Sequence, residues 1–335
     1  MLDSAGGVGA LYVIGGAEDK LQRRTVLTRF VAACGGASAR IAVVPTASSL
    51  GPEIIDVYVA LFTRLGAAEV LGVRPESREE AADPSYVDRL GEATGIFMTG
   101  GNQLKLSAII NGTPFGEAIK QAHERGITVG GTSAGASFQS SHMVAFGSGG
   151  TTPKQRMTQL AAGLGLVQGC VIDQHFTQRN RYGRLLMCVA QSPNLLGIGI
   201  DEDTAAVITR GRFLEVVGRG AVTIIDGTHV TSNAHQATRT RPLMISGARL
   251  HVLPDGSRFD LELRDLVRMP ADLDPDAAEE MREAQEDLRR MASDIAAEGV
   301  SPTYLRRRRA RSRQGWEASV AGSGTDEPDR EDGTA

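Results

Sequence analysis

Ile127–Ser137 reads ITVGGTSAGAS. The β-branched run Ile127, Thr128 and Val129 leads through Gly130 and Gly131 into small residues around Ser133. Residues 131–135 spell Gly-x-Ser-x-Gly, the spacing of a nucleophile elbow. In such an elbow a serine sits at the tip of a tight strand-to-helix turn, in a strained backbone conformation that only small neighbours tolerate. The amide after the serine, that of Ala134, then faces the attacked carbonyl oxygen as an oxyanion-hole donor. The pentapeptide equally describes a glycine-rich turn between a buried strand and a helix, so a base and an orienting acid must be sought elsewhere.

Outward from the elbow the pattern repeats. Short apolar runs at Ala10–Ile14, Arg40–Pro45, Glu69–Val73 and Gly95–Met98 read as buried strands. They alternate with helical spacing over Leu21–Ala33, Pro52–Leu65 and Leu104–Gly126, the last interrupted near Asn111–Pro114. This alternation predicts a mostly parallel sheet in an α/β fold, with helices on both faces. Ligands collect at the carboxyl ends of parallel strands. Ala17–Asp19, Pro45–Ser48, Gly100–Gln103 and Gly131–Gly135 all fall there. A helix is expected over Lys154–Leu160, then strands at Val171–Asp173 and Leu195–Ile200 with a helix at Leu185–Ala190 between them. From Ala205 to about Leu266, alternating strands with turn signals at Asp226-Gly227 and Asp255-Gly256 suggest an antiparallel extension on the sheet edge.

Composition excludes several classes. The 335 residues are 41% hydrophobic, enough for a large core, and a net charge of −4 argues against a nucleic-acid footprint over the body. Three widely spaced cysteines, without Cys-x-x-Cys, argue for a reducing compartment and against a disulfide framework or structural zinc. No signal peptide and no membrane-spanning apolar run is apparent, so a cytoplasmic protein is expected. Nothing in the sequence calls for a metal or an organic cofactor.

A general base must share the rim with Ser133. Of six histidines, His123 is expected on an exposed helix face, and His142 on a helix leading away from the elbow. His229, His235 and His251 lie in the antiparallel extension. His175 follows the apolar strand Val171–Asp173 directly and is the best placed. For the acid, Asp201, Glu202 and Asp203 all follow the next strand. Alternation along that strand turns Glu202 opposite to its two neighbours, and the sequence by itself leaves the choice open.

These residues together resemble the cyanophycinases, in the serine peptidase family that also includes the α-aspartyl dipeptidases. The likeness rests on IGGAEDK (14–20), FMTGGNQLKL (97–106), GGTSAGAS (130–137), DQHFTQRNRYGRL (173–185) and GIDEDTA (199–205). It implies a triad of Ser133, His175 and Glu202, with oxyanion donors from Ala134 and the Gly100-Gly101 loop. It implies a substrate pocket of Gln103, Asp173, Gln174, Arg179, Arg181 and Arg184, the arginines gripping substrate carboxylates and Asp173 or another acid receiving a substrate arginine. It also implies a three-layer sandwich related to class I glutamine amidotransferases, a homodimer, and cyanophycin as substrate. An α-aspartyl dipeptidase and a non-catalytic binding homologue are the competing readings. A cysteine-dependent amidotransferase is disfavoured by the serine at the nucleophile position.

The catalytic domain is expected over residues 1–270. Pro275–Glu298 follows as an amphipathic helix with an apolar stripe at Ala277, Met281, Ala284, Leu288, Met291 and Ile295, within an expected segment 271–300. Residues 301–335 read as a disordered tail, six arginines in Arg306–Arg313 and then an acidic stretch. The family motifs explain neither segment.

Overall fold

The structure, a computed structural model, describes residues 7–238 and 241–268. The expected C-terminal helix, the expected tail and the expected boundary near 270 lie outside the described residues. Strands β1 (Leu11–Ile14), β2 (Arg40–Val44), β3 (Glu69–Gly72), β4 (Gly95–Met98) and β5 (Thr128–Thr132) are parallel and pair in the order β1-β5-β4-β2-β3. Helices α1 (Thr25–Ala33), α2 (Glu53–Arg64), α3 (Pro84–Gly91), α4 (Gln103–Ile110) and α5 (Pro114–Glu124) fall between them. A second parallel trio follows the elbow helix α6 (Ala134–Phe138). It consists of β6 (Ser140–Gly147), β8 (Val167–Gln174) and β9 (Leu196–Ile200), with β7 (Thr158–Ala162) antiparallel to β6 and helix α7 (Tyr182–Gln191) leading into β9.

The chain therefore builds two large sheets where one was expected. Antiparallel strands extend both. β10 (Thr204–Thr209) pairs with β1, and β11 (Phe213–Gly218), β16 (Arg258–Asp260) and β17 (Asp265–Arg268) continue outward from it. β12 (Val222–Asp226) and β15 (Arg249–Leu253) extend the second sheet from β9, while β13 (Thr231–Ser232) and β14 (Ile245–Ser246) form a small ribbon.

Alternation along the strands divides the core. Tyr12, Ile14, Ile41, Val43 and Phe97 face α1 and α2, where Phe30, Phe62 and Phe97 meet at centroid distances of 5.1–5.7 Å. Leu11, Val13, Ala42, Val44 and Ile96 point the other way, into a core shared with α4, α5, α6 and the inner face of the second sheet. Val171, Leu185, Val189 and Ile225 seal α7 against that sheet's outer face. The elbow thus lies between the two sheets.

Three local expectations change. The helix expected from Leu21 begins at Thr25, because the Asp19 carboxylate accepts the amides of Leu21, Gln22 and Arg24 at 2.8–3.0 Å and holds the intervening turn. Lys154–Leu160 is no helix. Thr158–Ala162 is a strand, its amides and carbonyls engaged by β6. His142 lies on β6, since α6 ends after five residues. The interruption expected near Asn111–Pro114 separates two helices: Asn102 caps α4 by accepting the amides of Leu104 and Lys105, and Thr113 with Pro114 starts α5.

Candidate active site

Ser133 leaves β5 with φ 52° and ψ −106°, the strained conformation expected of an elbow, worth of order 1–3 kcal/mol of local strain. Its two glycines are steric necessities. A Cβ on Gly131 would stand 2.3 Å from the Gly135 carbonyl oxygen, and one on Gly135 would stand 2.3 Å from that of Met98. The serine is thereby pressed outward between β5 and α6.

The second sheet brings the other two groups. His175 follows β8 at φ 46°, and its Nε2 lies 3.0 Å from Ser133 Oγ. Its Nδ1 lies 2.6 Å from Oε1 of Glu202, which follows β9. With Nδ1–H donating to that carboxylate, Nε2 is left to accept the serine proton. Asp201 and Asp203 are engaged elsewhere. Asp201 accepts the amide and hydroxyl of Thr177 at 3.0 and 2.7 Å, and Asp203 accepts the Asp19 amide at 2.8 Å. Of the three candidate acids, Glu202 is the one in contact with the imidazole.

The loop after β1 fastens the two sheets together, a role that sequence reading missed. Consecutive carbonyls of Ile14, Gly15 and Gly16 accept the amides of Ser133, His175 and Asp203 at 2.8–3.0 Å. Gly16 has φ +101°, and a Cβ there would fall 2.4 Å from the imidazole Cε1. The Gly-Gly pair in IGGAEDK was the available signal, but its meaning depends on a histidine 159 positions downstream (175 minus 16).

Burial holds the His175 imidazole below its ordinary range. The hydrogen bond it donates to Glu202 pushes it back up, while the charges of Arg179 and Arg181 push it down. The net effect keeps the ring neutral and able to take a proton at a pH where an ordinary histidine is partly charged.

The implied oxyanion donors lie beside the serine. Gly100 approaches so closely that an added Cβ would be 3.3 Å from that of Ser133. Gly100, Gly101 and Ser133 share the wall of a cavity of about 340 Å³. Among the described residues, the amides of Ala134, Gly100 and Gly101 donate to no backbone carbonyl outside the regular elements.

The implied substrate pocket divides. Arg179 is exposed and pairs with no acid among the described residues. Asp173 is fully buried. It accepts Arg181 Nη1 at 3.1 Å and Arg184 Nε at 2.5 Å, with a second bond from Arg184 Nη2. Arg181 also donates to the side chain and carbonyl of Gln174. Asp173, Gln174, Arg181 and Arg184 therefore form one hydrogen-bonded network behind His175, in which all three Arg184 nitrogens donate to protein oxygens while Arg181 is engaged through Nη1. Burial pulls the Arg181 guanidinium down to about 10, which leaves it charged. Gln103 donates to the carbonyls of Val144 and Ala145 at 2.9 and 3.2 Å, tying α4 to β6. His123, expected on the surface, is buried with Nδ1 unpartnered.

Among the described residues no helix is long and apolar enough to cross a membrane, and no cluster of three or more metal-binding side chains occurs. The profile of peptidase family S51 matches residues 11–216. A cyanophycinase of Geminocystis herdmanii (strain PCC 6308) is 41% identical over 253 residues, spanning 75% of this chain and 93% of that protein. A cyanophycinase of Nostoc sp. (strain PCC 7120 / SAG 25.82 / UTEX 2576) is 42% identical over 262 residues, 77% of this chain and 87% of that one. Among solved structures, a peptidase from an acI-B1 Actinobacterium matches with a TM-score of 0.53 at 23% identity, covering 73% of this chain and 97% of that chain, a likeness of fold. A match over most of the chain, with the elbow inside it, means that the protein belongs to peptidase family S51 and is a serine-type peptidase.

Proposed function

We propose that the protein is a cyanophycinase that hydrolyses the polyaspartate backbone of cyanophycin, whose aspartyl side chains carry arginine, releasing β-aspartyl-arginine. The observation that carries this reading is the hydrogen-bonded line from Ser133 Oγ through His175 to Glu202, drawn from strand tips of two sheets. The cyanophycinases at 41–42% identity supply the substrate class.

In this reading Ser133 Oγ attacks an aspartyl backbone carbonyl while its proton passes to His175 Nε2. Glu202 holds the imidazole tautomer and stabilises the imidazolium. The negative charge that develops on the carbonyl oxygen is met by the Ala134 amide and by an amide of Gly100 or Gly101, and loss of one such donor typically costs about 100-fold or more. His175 returns the proton to the departing amine as the peptide bond breaks, leaving an ester on Ser133. Water, deprotonated by the same imidazole, then cleaves the ester and restores the serine. Arg179, exposed on the same turn, faces substrate. Arg181, Arg184 and Asp173 hold the turn that presents His175. Gln103 fixes the wall between α4 and β6.

The reading also takes the chain to act from one end of the polymer, as a homodimer in the cytoplasm, with the layer arrangement of class I glutamine amidotransferases. Three buried, unpaired cysteines fit a reducing compartment.

Incubation with purified cyanophycin, with products identified by mass, tests the substrate. β-Aspartyl-arginine is expected, and cleavage of α-aspartyl dipeptides with the polymer left intact would replace this reading by the dipeptidase one. Ser133→Ala and His175→Ala should each cost at least about 10⁴-fold in kcat, and Glu202→Gln about 10⁴-fold through the wrong tautomer.

A further inference from the structure

The cavity beside Ser133 has a feature that the triad and the arginine-bearing turn leave unused. Two charged side chains stand on its wall, Glu18 and Lys20. They differ sharply in access. The Glu18 side chain is only 1% exposed and accepts three donors: Thr132 Oγ1 at 2.5 Å, Tyr58 Oη at 2.9 Å and Lys20 Nζ at 2.7 Å. Its two oxygens are thus occupied by groups from β5, α2 and its own loop. The Lys20 side chain is 33% exposed, and its ammonium also lies 5.7 Å from the centroid of the Tyr58 ring. An ammonium has three N–H donors. Glu18 takes one strongly through its carboxylate at 2.7 Å and a second weakly through its carbonyl at 3.5 Å, which fixes where the third stands. The rest of the wall offers hydroxyls of Ser48, Ser49 and Thr99, glycine backbone and apolar carbon. The cavity, about 340 Å³, is large enough for a small-molecule group.

We infer that Lys20 is a specificity residue: its ammonium receives a free carboxylate of the substrate in this cavity while Ser133 attacks the neighbouring carbonyl. Glu18, anchored by Tyr58 and Thr132, is the post that holds the ammonium in place. The inference rests on the cyanophycin reading and deepens it. Each unit of that polymer carries a free arginine carboxylate, and the chain ends in a backbone carboxylate. Both present the chemistry that Lys20 accepts.

Three synthetic β-aspartyl-arginine oligomers separate these sources: one with all carboxylates free, one amidated at the arginine carboxylates, one amidated at the backbone C terminus. The wild-type enzyme is expected to lose about 10- to 100-fold in kcat/KM on one amidated oligomer, as for a lost charge-assisted hydrogen bond, mainly through KM. Lys20→Met should show that loss on the free oligomer and add none on the sensitive amidated one, and Lys20→Arg should recover part of it. Because Lys20→Met strands a buried carboxylate, the double variant Glu18→Gln/Lys20→Met provides the same comparison with the charge removed from both partners. A penalty equal on all three oligomers, or one confined to kcat, overturns the inference and makes Lys20 a structural partner of Glu18. Failure of the wild-type enzyme to cleave any oligomer overturns the cyanophycin reading itself, a distinguishable result.

Discussion

Two buried carboxylates flank the line of Ser133, His175 and Glu202, Asp173 with two cations and Glu18 with one. Asp173, behind His175, is enclosed by Arg181 and Arg184, whose side chains are almost as buried as its own. Glu18, beside Ser133, is equally buried, but its cation Lys20 reaches the cavity. The pairing is similar and the access is not. Arg184, all of whose nitrogens end on protein oxygens, stabilises a turn, whereas a cation with a donor left over at a cavity wall has something to offer a ligand. Charge in a motif therefore says little about substrate contact until burial is known.

The largest expected effect separates the two clusters by stability. Asp173→Ala leaves two guanidinium groups buried without a carboxylate and should lower the unfolding free energy by about 3–5 kcal/mol, measured by urea titration. Glu18→Gln keeps acceptors and donors for Tyr58 and Thr132 and loses only the ionic character of the Lys20 contact, so about 1 kcal/mol is expected in the same titration. Equal losses would erase the distinction.

Between these lies the loop that joins the sheets. Gly16→Ala pushes a methyl into the imidazole of His175 and should reduce kcat by about 100-fold or more, the scale of an ångström-level misplacement, without a matching rise in KM. Steady-state kinetics checks this. The smallest effect concerns Arg179. Its charge holds the His175 pKa down, so Arg179→Gln should raise that pKa. The base then stays protonated to a higher pH, and the acid limb of the kcat/KM profile moves upward. A limb that stays put would remove Arg179 from the electrostatics of the base.

Much of this was legible in the sequence for reasons that are local. Gly131 and Gly135 announce the elbow because nothing larger fits against the Gly135 and Met98 carbonyls. Buried strands such as Arg40–Val44 and Gly95–Met98 read correctly from their apolar runs, since a strand covered on both faces has no reason to alternate. What stayed hidden depends on partners distant in the chain. Val167–Gln174 and Leu196–Ile200 look the same whichever sheet they join, so the second sheet was invisible. Glu202 could not be told from Asp201 and Asp203, because the choice is made by a turn that places Asp203 at φ 53° and engages both aspartates elsewhere. The pairing of Arg181 and Arg184 with Asp173 could not be read from the motif, because it appears only once β8 and α7 are packed.

Tips of two sheets converge on the hydroxyl of Ser133. A fluorophosphonate probe, with adducts located by peptide mass mapping, measures this directly. One adduct at Ser133 is expected, forming far more slowly in His175→Ala and Glu202→Gln than in the unaltered protein. Labelling at another residue, or an unchanged rate without the imidazole, would mean that Ser133 is not the activated nucleophile.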